Sequence, residues 1–402
     1  MKHLACLVLA LILLFPCALA DRGAPQIEKT YTARTVVVRC AGDFVIHKSL
    51  IEAARRAGTG GAYSFAGMLE NVRDYLAAAD LTVTNVDGVM AVKEVAKRYG
   101  YSGYPAFSTP NDLIWDLKDC GVDLLTLANN HALDYWYDGL KSTVTSVEQA
   151  GLMSVGGYRS LEEKRTPRVM EINGIRLGFL NYTDGLNQMD KRSALDKAAL
   201  EYGVDFLERA DVDADVKRLR EAGAEVILCF MHWGIEYRSE PCQSQKENAR
   251  MLARAGVDVI IGGHPHVAER AEYINVTTRS GEERSVLCLY SLGNFLTGQR
   301  DIGCDAGMIF DFTISRDETG QITIGEPQYR TTWVWPHMVN GQADWRVLFS
   351  GLDAVRPQGM SDADFKRMQQ SAAETIKLMD SGCAVYAGYA QSAAPMVETP
   401  GR

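Results

Sequence analysis

Seven short apolar runs, each closing on a polar cluster and separated from the next by helix-like stretches, restrict this chain to an alternating α/β fold. Thr35 to Val38 leads into Gly42-Asp43, Leu81 to Thr84 into Asn85-Val86-Asp87, and Asp123 to Ala128 into Asn129-Asn130-His131. Arg176 to Leu180 leads into Asn181-Tyr182-Thr183-Asp184, Val226 to Phe230 into His232, Val257 to Ile261 into His264, and Val286 to Tyr290 into Ser291-Leu292-Gly293-Asn294. Gly121, Gly151, Gly223 and Gly256 each follow a helix-like stretch and precede an apolar run, as left-handed helix C-caps do. Ligands of sheets wound this way sit beyond the carboxyl ends of the strands. The pattern therefore places one site before any motif is considered.

No Pro/Ser-rich linker or internal repeat interrupts the chain between about residues 30 and 335, so residues 35–345 are read as one large domain. Ahead of it, Lys2, an apolar run from Leu4 to Phe15 and Ala18-Leu19-Ala20 read as a secretory signal over residues 1–20, followed by a lead segment, 21–34. The run is shorter than the ~20 residues that span a bilayer. An exported protein is expected, periplasmic, extracellular or cell-envelope associated. Beyond the domain, residues 346–387 read as a helical extension, its helix opening on the capping box Ser361-Asp362-Ala363-Asp364 and running to about Asp380. Residues 388–402 read as a mobile tail.

A formal charge of −9, from 42 basic and 51 acidic side chains, argues against nucleic acid as a partner. Nine cysteines, two of them in the signal, leave an odd seven without a C-x-x-C pair, which argues against a disulfide framework or a zinc ribbon. Cys40, Cys229 and Cys288 lie in apolar runs and read as small buried hydrophobes. Cys242 and Cys304 fall in polar loops, where spacing leaves pairing open. Lys93 to Tyr104, with Lys97, Arg98, Tyr99 and Tyr101 inside it, reads as a basic and aromatic loop, either a solvated surface or a contact for an acidic substrate.

Five of the seven histidines, His47, His131, His232, His264 and His266, follow predicted strands, in company with Asp43, Asp87 and Asn130. Imidazole, carboxylate and amide oxygen together suit a borderline divalent metal such as Mn, Fe or Zn better than Mg or Ca. The inventory suffices for two ions about 3.5–4 Å apart, which need a shared carboxylate and several neutral histidines.

Six ordered motifs carry a family resemblance: Gly42-Asp43 with His47, Asn85-Val86-Asp87-Gly88, Leu127 to Asp134, His232-Trp233-Gly234-Ile235-Glu236-Tyr237, Gly262-Gly263-His264-Pro265-His266, and Tyr290 to Phe295. Over roughly residues 35–335 the chain resembles the bacterial capsule-synthesis, or poly-gamma-glutamate biosynthesis, family often called CapA, itself similar to the calcineurin-like metallophosphoesterases. The resemblance implies a metallophosphatase-like layered α/β sandwich, with mixed β-sheets flanked by helices. It implies that Asp43, with His47, holds one metal and that Asp87 bridges. Asn130, His232, His264 and His266 then complete two sites, and His131 acts as general acid or transition-state donor. His47 stands four residues beyond Asp43 and either ligates or points elsewhere.

Further residues of the same motifs divide between site and scaffold. Asn85, Asn129, Asp134, Trp233, Glu236 and Asn294 are candidates to orient ligands or meet substrate. Glu236 either orients a histidine or is a surface carboxylate beside a packed Trp233. Asp134 either orients His131 or is an N-terminal helix charge. Asn294 either faces the site or belongs to a turn.

The resemblance also supplies partners: an anionic envelope polymer, poly-gamma-glutamate or capsule polysaccharide, and a membrane-bound synthesis complex. The leading expectation is a metal-dependent hydrolase or transferase acting on that polymer. The alternatives are a non-catalytic polymer-binding or scaffold subunit, which predicts a degraded metal set, and a secreted phosphoesterase.

Overall fold

Alternation along single strands explains the layering. In strand Val226–His232, Val226, Leu228 and Phe230 belong to one apolar cluster while Ile227, Cys229 and Met231 belong to another. A strand that is apolar on both faces is buried on both, as parallel sheets covered on two sides are. The computed structural model describes residues 32–301, 303–380 and 386–387. The expected signal, most of the lead and the expected tail lie outside the described residues. Among the described residues no helix is long and apolar enough to cross a membrane.

Two mixed sheets pack face to face, each backed by helices, giving four layers. The first runs in the order Gln342–Phe349, Gln328–Val339, Ala306–Arg316, Arg34–Ala41, Leu81–Asn85, Leu124–Thr126, Met153–Val155; the last four strands are parallel and the others antiparallel. The second runs Ala268–Thr277, Glu283–Leu292, Val259–Gly263, Val226–His232, Ile175–Thr183, Val169–Ile172, with the central four parallel and both edges antiparallel. Val36, Val38, Leu81 and Val83 of the first sheet meet Phe179, Leu228, Phe230 and Ile261 of the second in the central core. Helices Lys48–Ala57, Ala66–Ala77, Asp112–Asp119 and Trp136–Gln149 cover the outer face of the first sheet. Helices Val212–Glu221 and Gln243–Ala255 cover the second. This is the layered α/β sandwich with mixed sheets that the resemblance implied.

All seven apolar runs form strands. Gly121, Gly151, Gly223 and Gly256 take φ values of +83°, +75°, +87° and +106°, the left-handed turns that return each helix to its sheet. Helix Asp362–Asp380 opens as expected, with Ser361 Oγ accepting the Asp364 N–H at 3.0 Å.

One expectation is corrected, and one question left open is decided. Lys93–Tyr99 is a helix, not loop, because seven consecutive residues without Gly or Pro can close helical turns before Gly100 ends them; only residues 100–107 remain irregular. Cys242 and Cys304 are both free. Cys242 instead begins helix Gln243–Ala255, and Cys304 is buried with its carbonyl accepting from Asn294. Cys40, Cys229 and Cys288 are buried, as their apolar surroundings suggested.

Candidate metal centre

The parallel strands of both sheets end on the same side, so their polar termini converge. A short parallel ladder between Asp43–Val45 and Asn294–Thr297 stitches the two sets of ends together. The same parity that puts Phe230 between the sheets puts His232 there and turns Trp233 outward. Trp233 is accordingly a scaffold residue: fully buried, its indole N–H donates to the Tyr290 carbonyl at 2.9 Å.

Asp43, Asp87 and His266 each offer a ligand atom, all within 4.8 Å of one another, and all three are buried. Asp43 accepts the His264 N–H at 2.8 Å and the Asn85 amide at 2.9 Å. Gly263 permits this approach, since a Cβ there would stand 2.7 Å from Asp43 Oδ1. His266 Nδ1 lies 3.1 Å from Asn294 Oδ1, so the ring donates outward and keeps Nε2 for the site. The Asn294 amide in turn donates to Cys304 O and Gln299 Oε1, each at 2.8 Å. Asn294 thus contacts His266 directly.

A second group adjoins the first through Asp87. His232 Nε2 lies 2.9 Å from Asn130 Oδ1, 3.1 Å from His264 Nδ1 and 3.4 Å from Asp87 Oδ1. One N–H cannot serve three acceptors, so His232 Nε2 leaves at least two of these neighbours unsatisfied; among the described residues, the acids and histidines whose ligand atoms all lie within 4.8 Å of one another are Asp43, Asp87 and His266. Asp87 Oδ2 is buried without a hydrogen-bond partner, an arrangement that ordinarily carries a desolvation penalty. His264 and His266 hold left-handed φ values of +98° and +61°, rare for residues with a side chain and typical of functional sites.

The electrostatics agree with the geometry. Burial, then the neighbouring Asp87 charge, pushes the Asp43 carboxyl up to about 7, and burial raises Asp87 as well. Burial and the adjacent imidazoles hold His232 well below its ordinary value and His264 at about 3. Both rings are therefore neutral, the form a cation requires of an imidazole. Two buried acids side by side, neutral imidazoles and an orphaned carboxylate oxygen together fit a divalent cation.

His131 stands apart in character. Its Nδ1 lies 2.7 Å from Asp134 Oδ2, which also accepts the Phe107 N–H at 2.7 Å. Burial opposes protonation, but the Asp134 hydrogen bond and charge, with Asp87 and Glu236 beyond, outweigh it and raise the His131 pKa. Asn129 Oδ1 accepts the His131 and Gly88 N–H groups, and its amide donates to Asn85 Oδ1 at 3.3 Å, so Asn85 and Asn129 form a polar floor under both groups.

Two candidates sit at the margin. His47 Nδ1 is engaged by backbone, 2.9 Å from Val45 O and 3.2 Å from Gly298 N, with its ring edge-on to Phe107. Glu236 is solvent-exposed beside Tyr237. Sequence reasoning passed over Phe107, whose ring meets His131 at 4.8 Å, and Asn187, whose side chain reaches both Asn130 and His131. Asn187 lies just past the Asn181–Asp184 cluster, and the one signal in the sequence was that asparagine tolerates the left-handed backbone found there.

Fold and site together define a four-layered α/β protein with a candidate cation centre of acids, histidines and amides at its strand ends. Residues 37–299 match the profile of the bacterial capsule synthesis protein family PGA_cap, and the chain belongs to that family. It is 25% identical over 316 residues to the PGA biosynthesis protein CapA of Bacillus subtilis, covering 78% of this chain and 77% of that one. It is 26% identical over 258 residues to the capsule biosynthesis protein CapA of Bacillus anthracis, covering 64% of this chain and 59% of the relative. Among solved structures, Haemophilus influenzae NAD nucleotidase (NadN) aligns with a TM-score of 0.45 and 13% identity, over 88% of this chain and 57% of that one.

Proposed function

We propose that the chain is an exported, metal-dependent hydrolase or transferase of capsule or poly-gamma-glutamate synthesis, acting on an anionic envelope polymer. The observation that carries this reading is Asp87, a fully buried carboxylate shared by two groups of donors and left with an unpartnered oxygen. Asp43, Asp87 and His266 would hold one divalent ion, and Asp87, Asn130, His232 and His264 a second; Mn, Fe or Zn suits the mixed nitrogen and oxygen set. Such a pair, once bound, supplies Lewis acidity to the bond being cleaved and a nucleophile at neutral pH.

The chain's own groups do the rest. Asp134 fixes the His131 ring and favours its protonated form, so that Nε2 carries a proton suited to a leaving group. Phe107 packs against that ring and limits its swing. Asn294 and Asn85 set the orientation of His266 and the two acids.

Elemental analysis of purified protein is expected to find close to two divalent ions per chain, and His264→Ala to lose most of one. A hydrolysis screen over phosphate esters, gamma-glutamyl amides and peptidoglycan fragments, with and without Mn²⁺, tests catalysis. His131→Asn is expected to lower turnover about 10²-fold or more without loss of metal. Full metal content in His264→Ala, or no turnover of any substrate by metal-loaded protein, overturns the ligand set or the catalytic reading respectively.

A further inference from the structure

The loop following strand Ile175–Thr183 leaves the second sheet and crosses over the strand ends. Leu186 and Met189 anchor it in the apolar core on the outer face of the first sheet. Between these two anchors, Asn187 and Gln188 hold left-handed φ values of +46° and +59°. Asparagine tolerates that region better than most residues with a side chain. Asn187 and Gln188 are themselves exposed, between the buried Leu186 and Met189, so the turn adds no apolar burial of its own. What it does is aim one amide inward.

The Asn130 amide donates to Asn187 Oδ1 at 3.1 Å, on the side opposite the His232 contact. An amide has one oxygen and one nitrogen, so a fixed acceptor on the nitrogen fixes where the oxygen points. Without it, Asn130 can rotate and present N–H in place of Oδ1 on the side of His232, where a cation is repelled. The Asn187 nitrogen lies 3.2 Å and 3.4 Å from the two ring nitrogens of His131. Because His131 Nδ1 is already committed to Asp134, near-equal distances put the amide against the ring face and not on a lone pair.

We infer that Asn187 is a positioning residue: it locks the flip state of Asn130 so that Oδ1 faces the centre, and so sets the affinity of the ion held by Asp87, Asn130, His232 and His264. The inference rests on the two-ion reading above. It assigns to the crossing loop a part that the strand-end motifs do not contain.

The test is calorimetric titration of the metal-stripped full chain with Mn²⁺, alone and with Asn187 variants. Asn187→Gly removes the acceptor and suits the left-handed backbone, so folding is preserved and circular dichroism serves as the check. It is expected to weaken one of two binding steps about tenfold, the lower end of what an outer partner of a metal ligand contributes, and to leave the other unchanged. Asn187→Asp keeps an acceptor for the Asn130 amide and is expected to restore at least the wild-type affinity of that step. Superposable curves for wild type and Asn187→Gly overturn the inference, as does equal weakening of both steps. If the wild-type chain itself binds no Mn²⁺, the two-ion reading fails first, which is a distinct outcome.

Discussion

Asp87 and Asp305 are both buried to about the same degree, 0% and 1% exposed, yet the fold treats them in opposite ways. Asp305 is surrounded by compensation. Arg367 donates to both its oxygens at 3.0 and 3.1 Å, the Trp333 indole donates at 2.9 Å, and Arg300 stands 3.5 Å away. The result pins helix Asp362–Asp380 to the antiparallel half of the first sheet. Among the described residues Asp87 meets the Asn85 amide and His232, its Oδ2 has no hydrogen-bond partner, and burial raises its pKa. A structural acid receives its countercharge from the chain, whereas an acid at a binding centre is left to receive it from outside.

The largest effect that tests this contrast belongs to Asp305. Asp305→Asn strands the Arg367 and Arg300 charges against the core, and denaturant unfolding is expected to show a loss of about 3 kcal/mol that no metal restores. A loss restored by added Mn²⁺ breaks the contrast.

The opposite behaviour is expected at the strand ends. With metal chelated, Asp43 has a folded pKa of about 7, against 3.8 for an ordinary aspartate. Its protonated form is thus favoured by folding, the associated stability is intact below about pH 4, and it is lost as pH rises through about 7. Asp43→Asn does not titrate, so its stability relative to wild type is expected to grow across that window, by on the order of 2 kcal/mol. Thermal melts of the two chelated proteins at pH 4.5 and 7.5 measure it. Added divalent ion should reverse the ranking at pH 7.5 by stabilising wild type alone.

The smallest effect separates scaffold from site within one motif. Trp233→Phe removes the indole hydrogen bond to Tyr290 O and is expected to lower stability by about 1 kcal/mol while leaving metal content at the wild-type level. Metal loss in that variant returns Trp233 to the site.

Much of the site was legible because strand ends advertise themselves. A short continuous apolar run, closed by Asp, Asn or His, states both the element and the end at which its chemistry sits, and Asp43, Asp87, Asn130, His232, His264 and His266 were all readable in that way. Parity along Val226–His232 even separates His232 from Trp233 once the run is known to be covered on both faces. Asn187 and Phe107 were less legible, because each belongs to a connection whose course depends on where distant anchors dock. Leu186 and Met189 carry no sign in the sequence that they will be buried in the outer core of the opposite sheet. The helix Lys93–Tyr99 was misread for a related reason: charge and aromatic content describe a surface, and say little about the backbone beneath it.

The order of strands and helices, the left-handed glycine turns and the residue types of the centre were determined by the sequence, since each follows from local periodicity and backbone sterics. Only the tertiary structure decided which lone pairs meet, that Asp87 is common to two groups of donors, and that Asn187 reaches Asn130 from the far sheet. Those contacts join residues separated by tens to hundreds of positions. They exist only because two independently wound sheets are packed with their strand ends on the same side, and no local preference encodes that distance.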